Sequence, residues 1–404
     1  MIKNYSSFID RTKSSAIREL LKLTGRPDII SFAGGLPDPD IFPIEIINDI
    51  IVNILKNNSK VALQYGATEG VPEFKDELVK FISKSEGINL KPENILVTSA
   101  SQQGLDLVGK AFLNVSDPIL VELPSYLGAL QVFQSYGADI IGVKSDDDGV
   151  LIDDFAAKLD LLKKQNSTCK FVYLVPDFQN PTGVTMSMER RHKLIEISKH
   201  YDLPIIEDSP YRQVRFEGNH CDMLYKLSNY DNVISLFTFS KIYVPGLRLG
   251  YMIGPEDAIK KMSTLKQSLD LCTSPLNQLI ASEFLKGGYF DSHVEKVIGV
   301  YKNKKNAMLK ALSEFMPEGV SWTTPEGGLF LWVRLPEYMD ATEMFYNAVD
   351  EKVAYVIGSV FHCDNSGLNT LRLNFSYPSE EQIYEGIKRL AKVVKDRLKT
   401  PSRA

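Results

Sequence analysis

Short runs of apolar, often β-branched residues alternate along the first 255 positions with longer stretches in which apolar residues recur every three or four places. The runs at 95–99, 119–122, 139–143, 170–176, 203–208, 232–236 and 249–254 have the length of strands. Seven such strands alternating with helical stretches predict a mostly parallel, doubly wound sheet flanked by helices, an α/β fold. Beyond about 285 the pattern changes. A long helix is predicted from Val294 to Phe315, with Lys302, Lys304, Lys305 and Lys310 as its water-facing side. Strands follow near 325–333 and 370–376, and a last helix runs from Glu380 to Leu398. This grouping predicts a smaller α+β domain. An amphipathic helix is also expected over residues 12–24, before Gly25 and Pro27. The first 60 residues are expected to pack with the smaller domain, so that it draws on both chain ends. The expected divisions are 1–60, 61–285 for the large domain, and 286–404.

Composition narrows the classes. The chain has 404 residues and a net charge of −5, so nothing in its charge suggests nucleic-acid affinity. Asp146, Asp147 and Asp148 precede Gly149 and read as a solvated turn. Cys169, Cys221, Cys272 and Cys363 are scattered and form no metal-binding or disulfide pattern, so no metal is expected and a reducing, cytoplasmic setting is. No apolar run has the length of a membrane span.

The candidate chemistry falls just beyond the predicted strands, at the edge where α/β sheets place ligands. Lys241 follows the run at 232–236, with Thr238 and Ser240 shortly before it and Arg248 after it. An amine flanked by hydroxyls and a guanidinium can hold a phosphorylated aldehyde; a surface lysine beside a chance arginine would give the same segment. Ser101 and Gln102 open a helix after the strand at 95–99, a second place where free backbone N–H groups meet an anion. Tyr126, Asn180, Asp208 and Tyr211 sit at or just past three other strand ends. A carboxylate, an amide, a phenol and an amine together suit pyridoxal phosphate: its ring nitrogen needs an anion, its ring oxygen donors, its aldehyde an amine. The stretch Gly34-Gly35-Leu36-Pro37-Asp38-Pro39 is either a linker or a place where a small anion or ring can approach the backbone.

At this point the sequence resembles the class I and II aminotransferases, fold type I of the pyridoxal-phosphate enzymes. The motifs that carry the resemblance are Phe178-Gln179-Asn180-Pro181-Thr182-Gly183, Glu207-Asp208-Ser209-Pro210-Tyr211, Ser240-Lys241 with Pro245-Gly246-Leu247-Arg248-Leu249-Gly250, and Leu371-Arg372-Leu373-Asn374-Phe375. The segment 31–37 looks like the branch containing 2-aminoadipate, kynurenine and archaeal aromatic aminotransferases. The resemblance implies the cofactor pyridoxal 5'-phosphate, bound through a Schiff base to Lys241. It implies Asp208 on the ring nitrogen, Asn180 and Tyr211 on the ring oxygen, and Tyr126 stacked on the ring. It implies Ser101, Gln102, Thr238, Ser240 and Arg248 on the phosphate, with Tyr65 reaching the phosphate of a second subunit in a homodimer. Arg372, helped by Gly35 and Asn180, would clamp the substrate carboxylate. Arg18 would read an acidic donor side chain or merely face water. The implied reaction moves the amino group of an L-amino acid (2-aminoadipate, aromatic, branched or glutamate-like) to a 2-oxo acid, with 2-oxoglutarate as the expected acceptor. The alternatives are a lyase of the same fold, or the effector domain of a transcription regulator. The second is disfavoured by the negative charge and by the expected first helix starting near residue 12.

Overall fold

The computed structural model describes residues 4–12 and 28–399. The strands, in chain order, are β1 (Ile30–Ser31), β2 (Ile95–Thr98), β3 (Pro118–Leu123), β4 (Asp139–Asp146), β5 (Gly149–Val150), β6 (Val172–Leu174) and β7 (Ile205–Asp208), then β8 (Val233–Thr238), β9 (Gly250–Ile253), β10 (Ser321–Trp322), β11 (Phe330–Arg334), β12 (Val353–Ala354), β13 (Val356–Ile357) and β14 (Thr370–Asn374). The large sheet has the order β2-β9-β8-β7-β6-β3-β4-β5. Each of the seven expected strands is in it. The eighth, β5, arises because Gly149 takes a left-handed φ of +98° and turns the chain back after Asp146-Asp147-Asp148. The acidic turn is exposed, as anticipated.

Strands β4, β3, β6, β7 and β8 run parallel, whereas β9 runs antiparallel to both β8 and β2. Every residue of β2, β6, β7, β8 and β9 is buried, as a sheet covered by helices on both faces requires. The direction of β9 matters for function. The carboxyl ends of β2, β3, β6, β7 and β8 share one edge, and β9 starts at that edge, so the residues just before it arrive there too. Gly250 permits this closure: a Cβ there would sit 2.5 Å from the Phe237 carbonyl oxygen and 2.8 Å from Ala100 backbone atoms.

The C-terminal third forms a four-stranded antiparallel sheet, β10-β11-β14-β13. The N-terminal part joins this region, because β1 pairs in parallel with β12. The long helix runs Tyr289–Phe315, starting earlier than the sequence suggests. Its lysines correct the sequence reading. Lys310 is exposed, but Lys304 and Lys305 are buried. Lys305 pairs with Glu217 at 2.9 Å, while Lys304 pairs with Asp38 at 2.6 Å and also donates to the Ser376 carbonyl. Long aliphatic stems let both lysines cross the apolar stripe to an acid brought by another segment. The expected helix at 12–24 lies largely outside the described residues.

The Lys304–Asp38 pair fixes the stretch that could have been a linker. The Asp38 N–H donates to the Tyr301 hydroxyl, and the Ser376 hydroxyl donates to the Leu36 carbonyl. Removing one member of such a pair leaves the other charge desolvated. Asp38→Ala is therefore expected to lower stability by about 3–5 kcal/mol. Urea unfolding with an unchanged slope would measure it, and a loss under about 1 kcal/mol would show the pair to be solvated.

Candidate active site

A cavity of about 320 Å³ opens at the carboxyl edge of the large sheet. Its walls include Ser101, Gln102, Tyr126, Asn180, Asp208, Tyr211, Thr238, Ser240, Lys241, Arg248, Gly35 and Arg372, so twelve residues singled out from the sequence line one space. Tyr65 does not line it; that side chain is 80% exposed. Arg18 lies outside the described residues.

The amine is half-buried. Lys241 Nζ donates to the Gly35 carbonyl at 2.8 Å. Burial, then the charges of Arg372 and Arg248, pull its pKa down to about 8. A substantial fraction is therefore neutral near pH 8, the form that attacks a carbonyl or accepts a proton. Asp208 has the opposite problem. Burial pushes its carboxyl up to about 7, although the Tyr173 hydroxyl donates to Oδ2 at 2.8 Å. Its buried Oδ1 has no partner among the described residues. A cationic N–H at Oδ1 would restore the ionised carboxylate.

One end of the cavity is a hydroxyl cup. The Thr238 hydroxyl donates to Ser240 Oγ at 2.8 Å and accepts the Ser240 N–H at 3.1 Å, and Arg248 Nη1 reaches Ser240 Oγ at 3.5 Å. Arg248 holds a left-handed φ of +49°, and Ala100, just before Ser101, one of +63°. Both non-glycine residues store backbone strain at the site. The Asn180 turn is braced from behind: Gln179 Oε1 accepts from both the N–H and the hydroxyl of Thr182, and its Nε2 donates to the Pro124 carbonyl at 2.6 Å. Asn180 Nδ2 donates to the Tyr211 hydroxyl at 3.3 Å.

At the other end, Arg372 on β14 is 2% exposed. It donates to Asn180 Oδ1 at 2.8 Å and to the Ala33 carbonyl at 2.9 Å, both neutral acceptors, and its buried Nε has no partner among the described residues. Its guanidinium lies 4.1 Å from the Phe330 ring centroid. Burial pulls its pKa down to about 10. A buried cation held by neutral groups is a receptor for a carboxylate. Gly35 keeps the wall thin, since a Cβ there would meet the Phe330 ring at 3.1 Å.

Sequence reasoning missed several participants. Tyr173 is an interior residue of a buried strand, and its hydroxyl is what orients Asp208. The signal was available: a tyrosine buried in an apolar strand needs a hydroxyl partner, and Asp208 ends the neighbouring strand. Ala100, Phe330, Leu36, Pro37, Val175, Pro210 and Pro245 complete the walls. Leu36, Pro37, Pro210 and Pro245 stand within the motifs quoted above, whereas Val175 and Phe330 read as ordinary strand positions.

Comparison with known proteins gives the family. The family model for aminotransferase class I and II matches residues 37–390. The chain is 46% identical over 387 residues to aromatic-amino-acid aminotransferase 1 of Thermococcus litoralis, covering 96% of this chain and 93% of that one. It is 40% identical over 388 residues to the 2-aminoadipate transaminase of Thermus thermophilus, covering 95% of each. The solved structure of Pyrococcus horikoshii kynurenine aminotransferase, in complex with PMP, superposes with a TM-score of 0.94 at 46% identity, covering 98% of this chain and 97% of that one.

The depressed basicity of Lys241 can be measured directly. In protein freed of small molecules, acylation of Lys241, followed by peptide mass spectrometry from pH 6 to 11, is expected to rise with a midpoint near 8. The midpoint of an exposed lysine, near the ordinary value of about 10.4, would contradict the buried environment.

Proposed function

The chain belongs to the class I and II aminotransferases, and from that premise we propose which residues carry its pyridoxal-phosphate-dependent transfer of amino groups. The single observation behind the reading is the presence, in one cavity, of a half-buried amine of lowered basicity and a buried carboxylate whose Oδ1 has no partner among the described residues. The cavity suits the cofactor on chemical grounds: it offers a carboxylate for the ring nitrogen, Asn180 and Tyr211 for the ring oxygen, and a hydroxyl cup with Arg248 for the phosphate.

When bound, pyridoxal phosphate supplies an aldehyde that takes up the amino group and a ring that withdraws electrons from the substrate's α-carbon. In this reading Lys241 anchors the aldehyde between turnovers. During turnover its neutral Nζ accepts the α-proton and gives it back, general acid–base work suited to a pKa near 8. Asp208, oriented by Tyr173, holds the ring nitrogen protonated. Tyr126 covers one face of the ring. Ser101, Gln102, Thr238, Ser240 and Arg248 grip the phosphate. Arg372 clamps the substrate carboxylate, with Asn180 and Gly35 fixing its approach.

In this reading Tyr65, exposed and outside its own cavity, completes the phosphate grip of a second copy in a homodimer; its exposure supports this. Exposed Ile44, Val52, Leu55, Val61 and Leu63, close to Tyr65 in the chain, supply an apolar surface for that contact. The same reading divides the chain at 60 and 285. A cytoplasmic setting accords with four unpaired cysteines.

The walls left for a donor side chain, Leu36, Pro37 and Phe330, are apolar. They favour aromatic and long aliphatic donors, with 2-oxoglutarate as acceptor; the relatives' names point to aromatic amino acids, kynurenine and 2-aminoadipate. An acidic donor would need a cation such as Arg18. The lyase and effector-domain alternatives are not favoured, because the relatives matched along nearly their whole length are aminotransferases.

Two measurements test these roles. Lys241→Ala is expected to fold, to lose the visible absorbance of lysine-bound cofactor, and to lose transamination by at least about 10⁴-fold; near-normal turnover would remove Lys241 from the mechanism. In a donor panel against 2-oxoglutarate, Arg18→Ala is expected to lower kcat/KM for 2-aminoadipate by about tenfold, the ratio for roughly 1.4 kcal/mol, and to leave aromatic donors within twofold. Unchanged kcat/KM for 2-aminoadipate would show that Arg18 is not its reader.

A further inference from the structure

Ser101 and Gln102 line the cavity at the start of the helix Ala100–Phe112, directly after Ala100 in its left-handed conformation. Such a conformation persists in a non-glycine residue only where its surroundings hold it. Part of what holds it comes from well outside the cavity lining. Gln103 Oε1 accepts the Ser99 N–H at 2.8 Å, closing the turn on both sides of Ala100. Gln103 Nε2 donates to Asp270 Oδ2 at 2.7 Å, and the Ser99 hydroxyl reaches the same oxygen at 3.4 Å. Lys266, whose side chain is wholly buried, donates to Asp270 Oδ1 at 2.8 Å. Asp270 thus bridges a buried ammonium and Ser99 and Gln103, before and after Ala100 in the chain, without lining the cavity itself.

We infer that Asp270 is a positioning residue for the cofactor's phosphate: through Gln103 and Ser99 it holds the strained turn that aims the N–H groups and side chains of Ser101 and Gln102 at that anion. Both oxygens of Asp270 are committed, one to Lys266 and one to the turn. A carboxylate is needed because it must accept on both sides at once; an amide can accept on only one. The pair with Lys266 also spares a buried cation from being left alone. With the clamp gone, Ala100 can relax toward an ordinary helical or extended φ, turning the following N–H groups away. The ring, amine and carboxylate contacts lie on other strands and are untouched.

The inference rests on the placement of the phosphate at Ser101 and Gln102, so its test separates the two. Cofactor-free protein is titrated with pyridoxal phosphate and with pyridoxal, which lacks the phosphate, by absorbance and fluorescence. Asp270→Ala is expected to weaken pyridoxal phosphate by about tenfold, leaving pyridoxal within twofold. Gln103→Met cuts the same clamp from the helix side and is expected to do the same; it carries the test if Asp270→Ala fails to fold. Asp270→Asn is expected to fall between wild type and Asp270→Ala. Equal weakening of both ligands would mean general damage and overturn the inference, as would unchanged affinity for both. Ser101→Ala reads the underlying placement: if it leaves the preference for the phosphorylated ligand intact, the placement is wrong. If Ser101→Ala erodes the preference and the two clamp variants do not, only the role of Asp270 falls.

Discussion

The structure depends on a desolvation that the protein alone does not relieve. Lys241, Arg372 and Asp208 meet in one cavity, and burial pushes each toward its neutral form. Burying ionisable groups is costly unless each finds a partner. Here the partners among the chain's own residues are neutral: a carbonyl for Lys241, an amide oxygen and carbonyls for Arg372, a phenol for Asp208. A carbonyl for the amine, a carboxylate for the guanidinium and a cationic ring for the acid relieve all three. The site is prepared for ligands of those kinds, and preparation of this sort is what electrostatic catalysis requires.

The sheet makes that concentration of charge possible. A parallel sheet buried on both faces has one open edge, and five strands deliver their following residues to it. The apolar interior of β2, β6, β7 and β8 fixes the strands, and the residues beyond them inherit that rigidity. The Asn180 turn, braced by Gln179, and the turn at Ala100, braced by Gln103, extend the same stiffness past the strand ends.

Much of this was legible in the sequence because burial and chemistry leave different marks. Apolar runs gave the seven strands, and the polar residues at or just beyond them gave ten lining residues; Gly35 and Arg372 came from the family resemblance. What stayed hidden depended on partners distant in sequence. Lys304 and Lys305 read as solvated because nothing nearby on their helix pairs with them; their acids, Asp38 and Glu217, come from other segments. Tyr173 read as core because its hydroxyl meets an acid on an adjacent strand. The antiparallel direction of β9 could not be read from an apolar run, since such a run looks the same in either direction.

That reversed strand has an outcome for how such a chain can diversify. Because β9 starts where β8 ends, Thr238, Ser240, Lys241 and Arg248 come from one short span, and register pairs Thr238 with Gly250 across its base. The amine and the hydroxyl cup are thus a single heritable cassette, while Ser101, Gln102, Tyr126, Asn180, Asp208 and Tyr211 reach the same cavity from other strands. Arg372 and the wall at Gly35 to Pro37 are drawn from the opposite termini of the polypeptide. Mutational drift at those termini can reshape their part of the cavity wall while the cassette stays untouched.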